Sequence, residues 1–263
     1  MSIRPLSGIV IAASIVFCCA PASAQSMPRT SPPPTTREAT PTAGEVLRTL
    51  KAGNRRYATN QPLHPHCDPR RRRETAVEQH PIATIIACSD SRVPVEQIFD
   101  AGIGDLFVIR VAGNVCDTDE IGSIEYGTEH LHTPLVVVLG HTSCGAVTAA
   151  TRHAKVHGNI AALVHHIEPA VEKAHREHPE LHDEALVECA VRENVFQSIA
   201  DLLKGSPDVR ELVRAGKVQV LGAVYHLDSG EVEWLGPHPR QRELLRMSAH
   251  PHPSTRPAEA PNH

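Results

Sequence analysis

Aromatic side chains are nearly missing from this sequence: they make up 3% of its 263 residues, with a single Trp. A core without them must be built from Val, Ile, Leu and Ala. Long hydrophobic runs are missing too. The longest, Gly8 to Ala20, falls short of the about 20 residues that cross a bilayer, and no later stretch is long enough. A membrane span is therefore not expected. Nor does one sign of charge dominate: the formal net charge of -4 leaves no basic footprint for a nucleic acid. A paired cysteine framework is absent as well. Of the seven Cys, Cys18 and Cys19 lie near the start. The other five, Cys67, Cys88, Cys116, Cys144 and Cys189, are an odd and widely spaced set, unlike a disulfide scaffold.

What is present sorts into four stretches. Residues 1–24 read as an export signal: Arg4 at the positive start, a short apolar run, and Ala22-Ser23-Ala24 as a small-x-small cleavage pattern. A lipid anchor at Cys18 or Cys19 is the rival reading, and the bulky Phe17 before Cys18 disfavours it. The expected location is periplasmic or secreted. Residues 25–41, rich in Pro, Thr and Ser, read as a disordered linker, and residues 247–263 as a disordered tail. Residues 42–246 form the expected folded domain. The 18 His are mostly scattered beside Pro and Glu in polar stretches, which favours surface roles. Arg70 to Arg73 read as a solvated face, with an anion patch as the minority reading.

Within the domain, Val46, Leu47, Leu50 and Tyr57 fall at helical spacing after Thr42, a plausible cap. Four short apolar runs follow, Ile82–Ala87, Leu106–Val111, Leu135–Leu139 and Val218–Tyr225. Runs without alternation predict strands covered on both faces. Helical patterns at Thr118–His130, Ala146–His157, Ile160–Glu177 and Glu184–Leu203 separate or flank them. The turn Asp228-Ser229-Gly230 returns Glu231–Leu235 as an antiparallel edge strand. The expected fold is α/β, a mostly parallel central sheet flanked by helices, with an antiparallel edge strand.

Two of these strands end in chemistry. The first runs into Cys88-Ser89-Asp90-Ser91-Arg92, the third into His141-Thr142-Ser143-Cys144-Gly145. Sites in open α/β sheets form beyond the carboxyl ends of strands, at a switch in strand order, so both segments are expected on one rim. Two Cys and one His with a position open is a composition known for catalytic zinc. Residue types alone also allow buried apolar thiols or a Cys88–Cys144 disulfide. Asp90 and Arg92, two apart in an extended segment, can pair bidentately beside a metal.

C-S-D-S-R-V-P at Cys88, G-D-L-F-V-I-R-V-A-G-N at Gly104, G-S-I-E-Y at Gly122 and L-G-H-T-S-C-G-A at Leu139 stand in this order. An L-x-x-L-x-x-G-N-x-R-Y-like opening at Leu47 to Tyr57 precedes them. Together they resemble the β-class carbonic anhydrases over roughly Glu45 to Leu235, and the R-V-A-G-N form resembles an exported bacterial subgroup. The resemblance implies one Zn2+ per subunit on Cys88, His141 and Cys144, with Asp90 and Arg92 as the catalytic dyad. It implies substrate contacts from Gln79, Phe107, Tyr126 and Gly145, the last where backbone passes close to the site. For Phe107 and Tyr126 core packing is the competing reading, and for Gln79 a surface polar residue. The implied reaction is reversible hydration of CO2 to bicarbonate and a proton by zinc-bound hydroxide, in a homodimer or homotetramer. Asp90 could instead ligate zinc and close the site. Carbon disulfide or carbonyl sulfide hydrolysis on the same scaffold, and a non-catalytic zinc-binding or redox protein, are the alternative functions.

Overall fold

The computed structural model describes residues 41–247. The expected export signal, with nearly all of the linker and tail, lies outside the described residues. Helix α1, Ala43–Ala58, starts on a complete capping box: Thr42 Oγ1 accepts from the Glu45 N–H, and Glu45 accepts from the Thr42 N–H. Helix α2, Pro69–Thr75, carries the four arginines, with Asp68 as its cap and Pro69 at its first position. Its arginines divide. Arg71 reaches back to the Ile103 carbonyl and the Asp105 carboxylate, and Arg70 pairs with Glu74.

Then come β1 (Ala83–Ala87), the short α3 (Val95–Ile98), β2 (Leu106–Arg110) and a tight turn at Ala112–Asn114. Helix α4 (Thr118–Glu125) loosens into a π-helical turn at Tyr126–His130. After β3 (Leu135–His141) follow α5 (Gly145–Thr151), α6 (Asn159–His165), α7 (Glu168–Glu177), α8 (Asp183–Gly205) and α9 (Pro207–Arg214). The chain ends with β4 (Gln219–Tyr225), β5 (Val232–Gly236) and the short α10 (Gln241–Leu244).

The sheet order is β2-β1-β3-β4-β5, parallel except for β5. Every residue of β1 and β3 is buried, which is why their sequences are apolar without alternation. Alternate residues feed opposite faces. Ile86, Val136 and Val138 pack with α5, α7 and α8; Ile85, Val137 and Leu139 pack with α1 and α3. Between Gly53 of α1 and the Phe99 carbonyl there is no room for a side chain: a Cβ would lie 1.9 Å from that oxygen.

Two expected helices differ. Ala146–His157 stops at Thr151, before the loop that leads to Gly158 at φ 60°. Ile160–Glu177 is two helices, because Pro169 lacks the N–H that a continuous helix needs and instead sits in the first turn of α7. Helix α9, announced by Ser206-Pro207, was not expected. Chain direction along β1 turns outward to β2 on one side and β3 on the other. That is the switch point at which α/β sheets open a crevice.

Candidate metal centre

Ala87 of β1 pairs with Leu139 of β3, so the next residue on one strand and the last on the other reach the same rim. There Cys88 turns inward and His141 closes β3. Ser143, at φ 53°, bends the chain so that Cys144 caps α5. The two Sγ atoms are 4.0 Å apart, and the ligating atoms of Cys88, His141 and Cys144 lie within 4.8 Å of one another. All three residues are buried. No disulfide joins the sulfurs, and the five Cys among the described residues are free.

This donor set fits a metal. His141 Nδ1 is 2.9 Å from the Thr142 carbonyl, a bond in which the ring nitrogen must donate. That leaves Nε2 with a lone pair, and Nε2 is buried without any partner. The thiols are equally unsettled. Their mutual hydrogen bond holds the Cys88 thiol well below its ordinary range and pushes Cys144 well above it. A divalent cation between them would allow both sulfurs to be thiolates. Burial of the two Cys as small apolar side chains does not account for the orphaned imidazole nitrogen.

Beside the triad, Arg92 grips Asp90 with Nε to Oδ1 at 2.9 Å and Nη2 to Oδ2 at 2.7 Å. The pairing is bidentate as expected, but the segment is a turn rather than an extended strand: Val93 N–H donates to the Asp90 carbonyl. Arg92 holds the Asp90 carboxyl far below the usual carboxylate range. Asp90 Oδ2 lies 3.8 Å from His141 Nε2, yet Asp90 is outside the cluster of mutually close ligand atoms.

Of the other expected residues, Gly145 follows Cys144 at the start of α5, and Gln79, Phe107 and Tyr126 are elsewhere. Phe107 is level with Thr84, four residues before Cys88, hence about 13 Å down the sheet at 3.3 Å per residue. Its ring lies 5.9 Å from that of Tyr126. Tyr126 and Gln79 line an open depression of about 600 Å³ together with Val77, Ile103 and Leu131. Tyr126 is 46% exposed, which corrects the core-packing alternative for that residue. A Cβ on Gly145 would meet nothing within 4 Å, so the protein's own packing does not demand glycine there.

Four further residues support the triad. Arg110 donates to the carbonyls of Cys88, at 3.1 Å, and Asp90, at 2.6 Å, clamping the turn between them. Gly113 N–H donates to Cys88 Sγ at 3.2 Å. Asn194 and Ser198 of α8 bond the backbone around Gly113. The available signal was polarity out of place: Arg110 ends an apolar strand, and Asn194 and Ser198 interrupt the apolar face of a long helix. Cys116 takes no part; burial pushes its thiol up and leaves it unreactive.

A family profile described as carbonic anhydrase matches residues 83–232. Carbonic anhydrase 2 of Mycobacterium tuberculosis is 38% identical over 189 residues, 70% of this chain and 88% of that protein. The carbonic anhydrase of Mycolicibacterium smegmatis is 38% identical over 191 residues, 71% and 90% of the two chains. Among solved structures, the β-carbonic anhydrase CafA of Aspergillus fumigatus superposes with TM-score 0.62 at 29% identity, covering 76% of this chain and 97% of that one. A structure from a study of two tetrameric β-carbonic anhydrases of Sordaria macrospora gives TM-score 0.60 at 26% identity, covering 73% and 97%.

Proposed function

The chain belongs to the β-class carbonic anhydrases, and from that premise we propose that Cys88, His141 and Cys144 hold one Zn2+ with Asp90 and Arg92 as its catalytic dyad. The observation that carries this reading is the buried, unpartnered His141 Nε2, facing two thiols on one side and the Arg92-bound Asp90 on the other. When bound, zinc supplies Lewis acidity that makes a water molecule nucleophilic near neutral pH. The protein's part is orientation. Asp90, kept ionised by Arg92, accepts a hydrogen bond from the attacking water and turns a lone pair toward the carbon of CO2. Arg110 holds the Cys88–Asp90 turn still while this happens. Arg92 also donates to the Ser143 carbonyl at 3.3 Å, which ties the dyad to the segment carrying Cys144.

Gln79, Phe107 and Tyr126 are proposed as substrate-binding residues, Gln79 donating to a substrate oxygen as negative charge develops. We propose that a second copy brings these residues to the candidate metal centre; the separation of Phe107 from Cys88 within one chain supports this. The exposed Val77, Ile103 and Tyr126 and the tetrameric relatives support a homodimer or homotetramer. Gly145 is proposed to leave room for substrate rather than for protein atoms. The pattern of residues 1–24 supports a periplasmic or secreted location; among the described residues no helix is long and apolar enough to cross a membrane.

Stopped-flow measurement of CO2 hydration, with zinc determined on the same sample, tests the reading. One zinc per chain with rapid hydration is expected. Metal-free protein that hydrates CO2, or faster turnover of carbon disulfide or carbonyl sulfide than of CO2, overturns it.

A further inference from the structure

Gly113 and Asn114 both have left-handed backbones, at φ 70° and 46°. Glycine adopts this conformation freely, whereas asparagine does so at some cost, and the pair needs support from outside the turn. Space is also short, since a Cβ on Gly113 would lie 2.7 Å from Ile167 Cδ1. The turn delivers one functional contact, the Gly113 N–H on Cys88 Sγ at 3.2 Å.

Helix α8 provides the support. Asn194 Nδ2 donates to the Gly113 carbonyl at 2.7 Å, and the single Ser198 hydroxyl proton is shared between the Asn114 carbonyl and the Asn194 carbonyl of its own helix, each at 2.9 Å. These side chains are 1% and 2% exposed, on a helix face otherwise made of Val191, Val195, Ile199 and Leu202. An amide and a hydroxyl are costly in such a place unless bonded. Asn194 bears part of that cost, because its own Oδ1 has no partner. Packing alone would be served better by apolar residues.

We propose that Asn194 and Ser198 are positioning residues of the metal centre, which hold the Ala112–Asn114 turn so that its N–H stays on Cys88 Sγ. A hydrogen bond to a thiolate withdraws charge from the sulfur. Less charge then reaches the metal, which remains the stronger Lewis acid. The inference rests on Cys88 being a metal ligand.

Cobalt(II), loaded into the metal-depleted full chain, reports on the sulfur directly through its thiolate-to-metal charge-transfer absorption. Asn194→Ala is expected to move that band to longer wavelength and to weaken cobalt binding about ten-fold. Ser198→Ala, which deletes a single hydroxyl, is expected to move the band in the same direction and decides the matter if Asn194→Ala does not fold. Leu202→Ala, on the same helix, is expected to lower the melting temperature without moving the band. An unmoved band in the folded variants, or an equal movement in Leu202→Ala, overturns the positioning role alone. A wild-type cobalt protein without any thiolate band overturns the ligand assignment and this inference with it.

Discussion

Asp90 and Arg92, two residues apart around a turn, are joined through both carboxylate oxygens, and the same carboxylate lies 3.8 Å from the unpartnered His141 Nε2. In the proposed mechanism Asp90 would face either a bound metal or its water, and Arg92, which occupies both carboxylate oxygens, would disfavour direct ligation. Asp90→Asn is therefore expected to keep its zinc and lose CO2 hydration by about a hundred-fold or more, the usual scale for a missing proton-handling group. Stopped-flow rates beside metal analysis check it. Normal turnover in a fully loaded variant would remove Asp90 from the mechanism.

His141→Ala and Cys144→Ser each delete one of three buried donors. Both are expected to lose bound zinc and activity together, read by elemental analysis after dialysis. In the metal-free wild type, thiol titration under denaturing, non-reducing conditions should count all five Cys of residues 41–247 as free. Full zinc content in both variants would contradict the ligand assignment.

Outside the Cys88, His141 and Cys144 cluster, Asp100 anchors the chain between α1 and α2. Its buried carboxylate accepts from Arg56 Nε at 2.5 Å and from the Leu63 and His64 amides. Burial pushes the carboxyl up, but the amides and Arg56 outweigh it, so its pKa is lowered overall. A lowered folded-state pKa stabilises the protein above the unfolded value of about 3.9. That stability is lost as pH falls through the folded value. Asp100→Ala is expected to cost about 3 kcal/mol at pH 7, as for a broken buried pair with one partner partly solvated, in urea denaturation. The stability gap between wild type and Asp100→Asn should narrow below pH 4. A gap that stays constant down to pH 3 would rule out the linkage.

The depression holding Gln79 and Tyr126 is bordered by Val77, which is 88% exposed. If a second copy covers this face, Val77→Asp should shift sedimentation toward monomer and lower CO2 hydration while zinc stays bound. An unchanged oligomer with unchanged rates would place the subunit contact elsewhere.

Much of this was readable in advance because it depends on local pattern. The unbroken apolar runs predicted β1, β2, β3 and β4 to within two residues at each end. Thr42, three residues before Glu45, predicted the start of α1 because a capping box is satisfied by neighbours alone. The short helices α2 and α9 were equally local, marked by Asp68-Pro69 and Ser206-Pro207. The polar sequence of α2 lacks an apolar period, whereas α9 carries one at Val209, Leu212 and Val213 that is too short to stand out.

The sequence alone determined which chemical groups end the strands: thiol, imidazole, carboxylate and guanidinium, each placed where an apolar run stops. Tertiary structure decided which of them meet. Register between β1 and β3, set by side chains about 50 residues apart, brings Cys88 to His141 and Cys144. The separate register between β1 and β2 leaves Phe107 level with Thr84, four residues short of Cys88. Only packing brings Asn194 to the carbonyl of Gly113, 81 positions away. Local propensity carries no information over such separations. Strand pairing and the fit of helices on a sheet carry it, because most buried polar groups must find partners across the core.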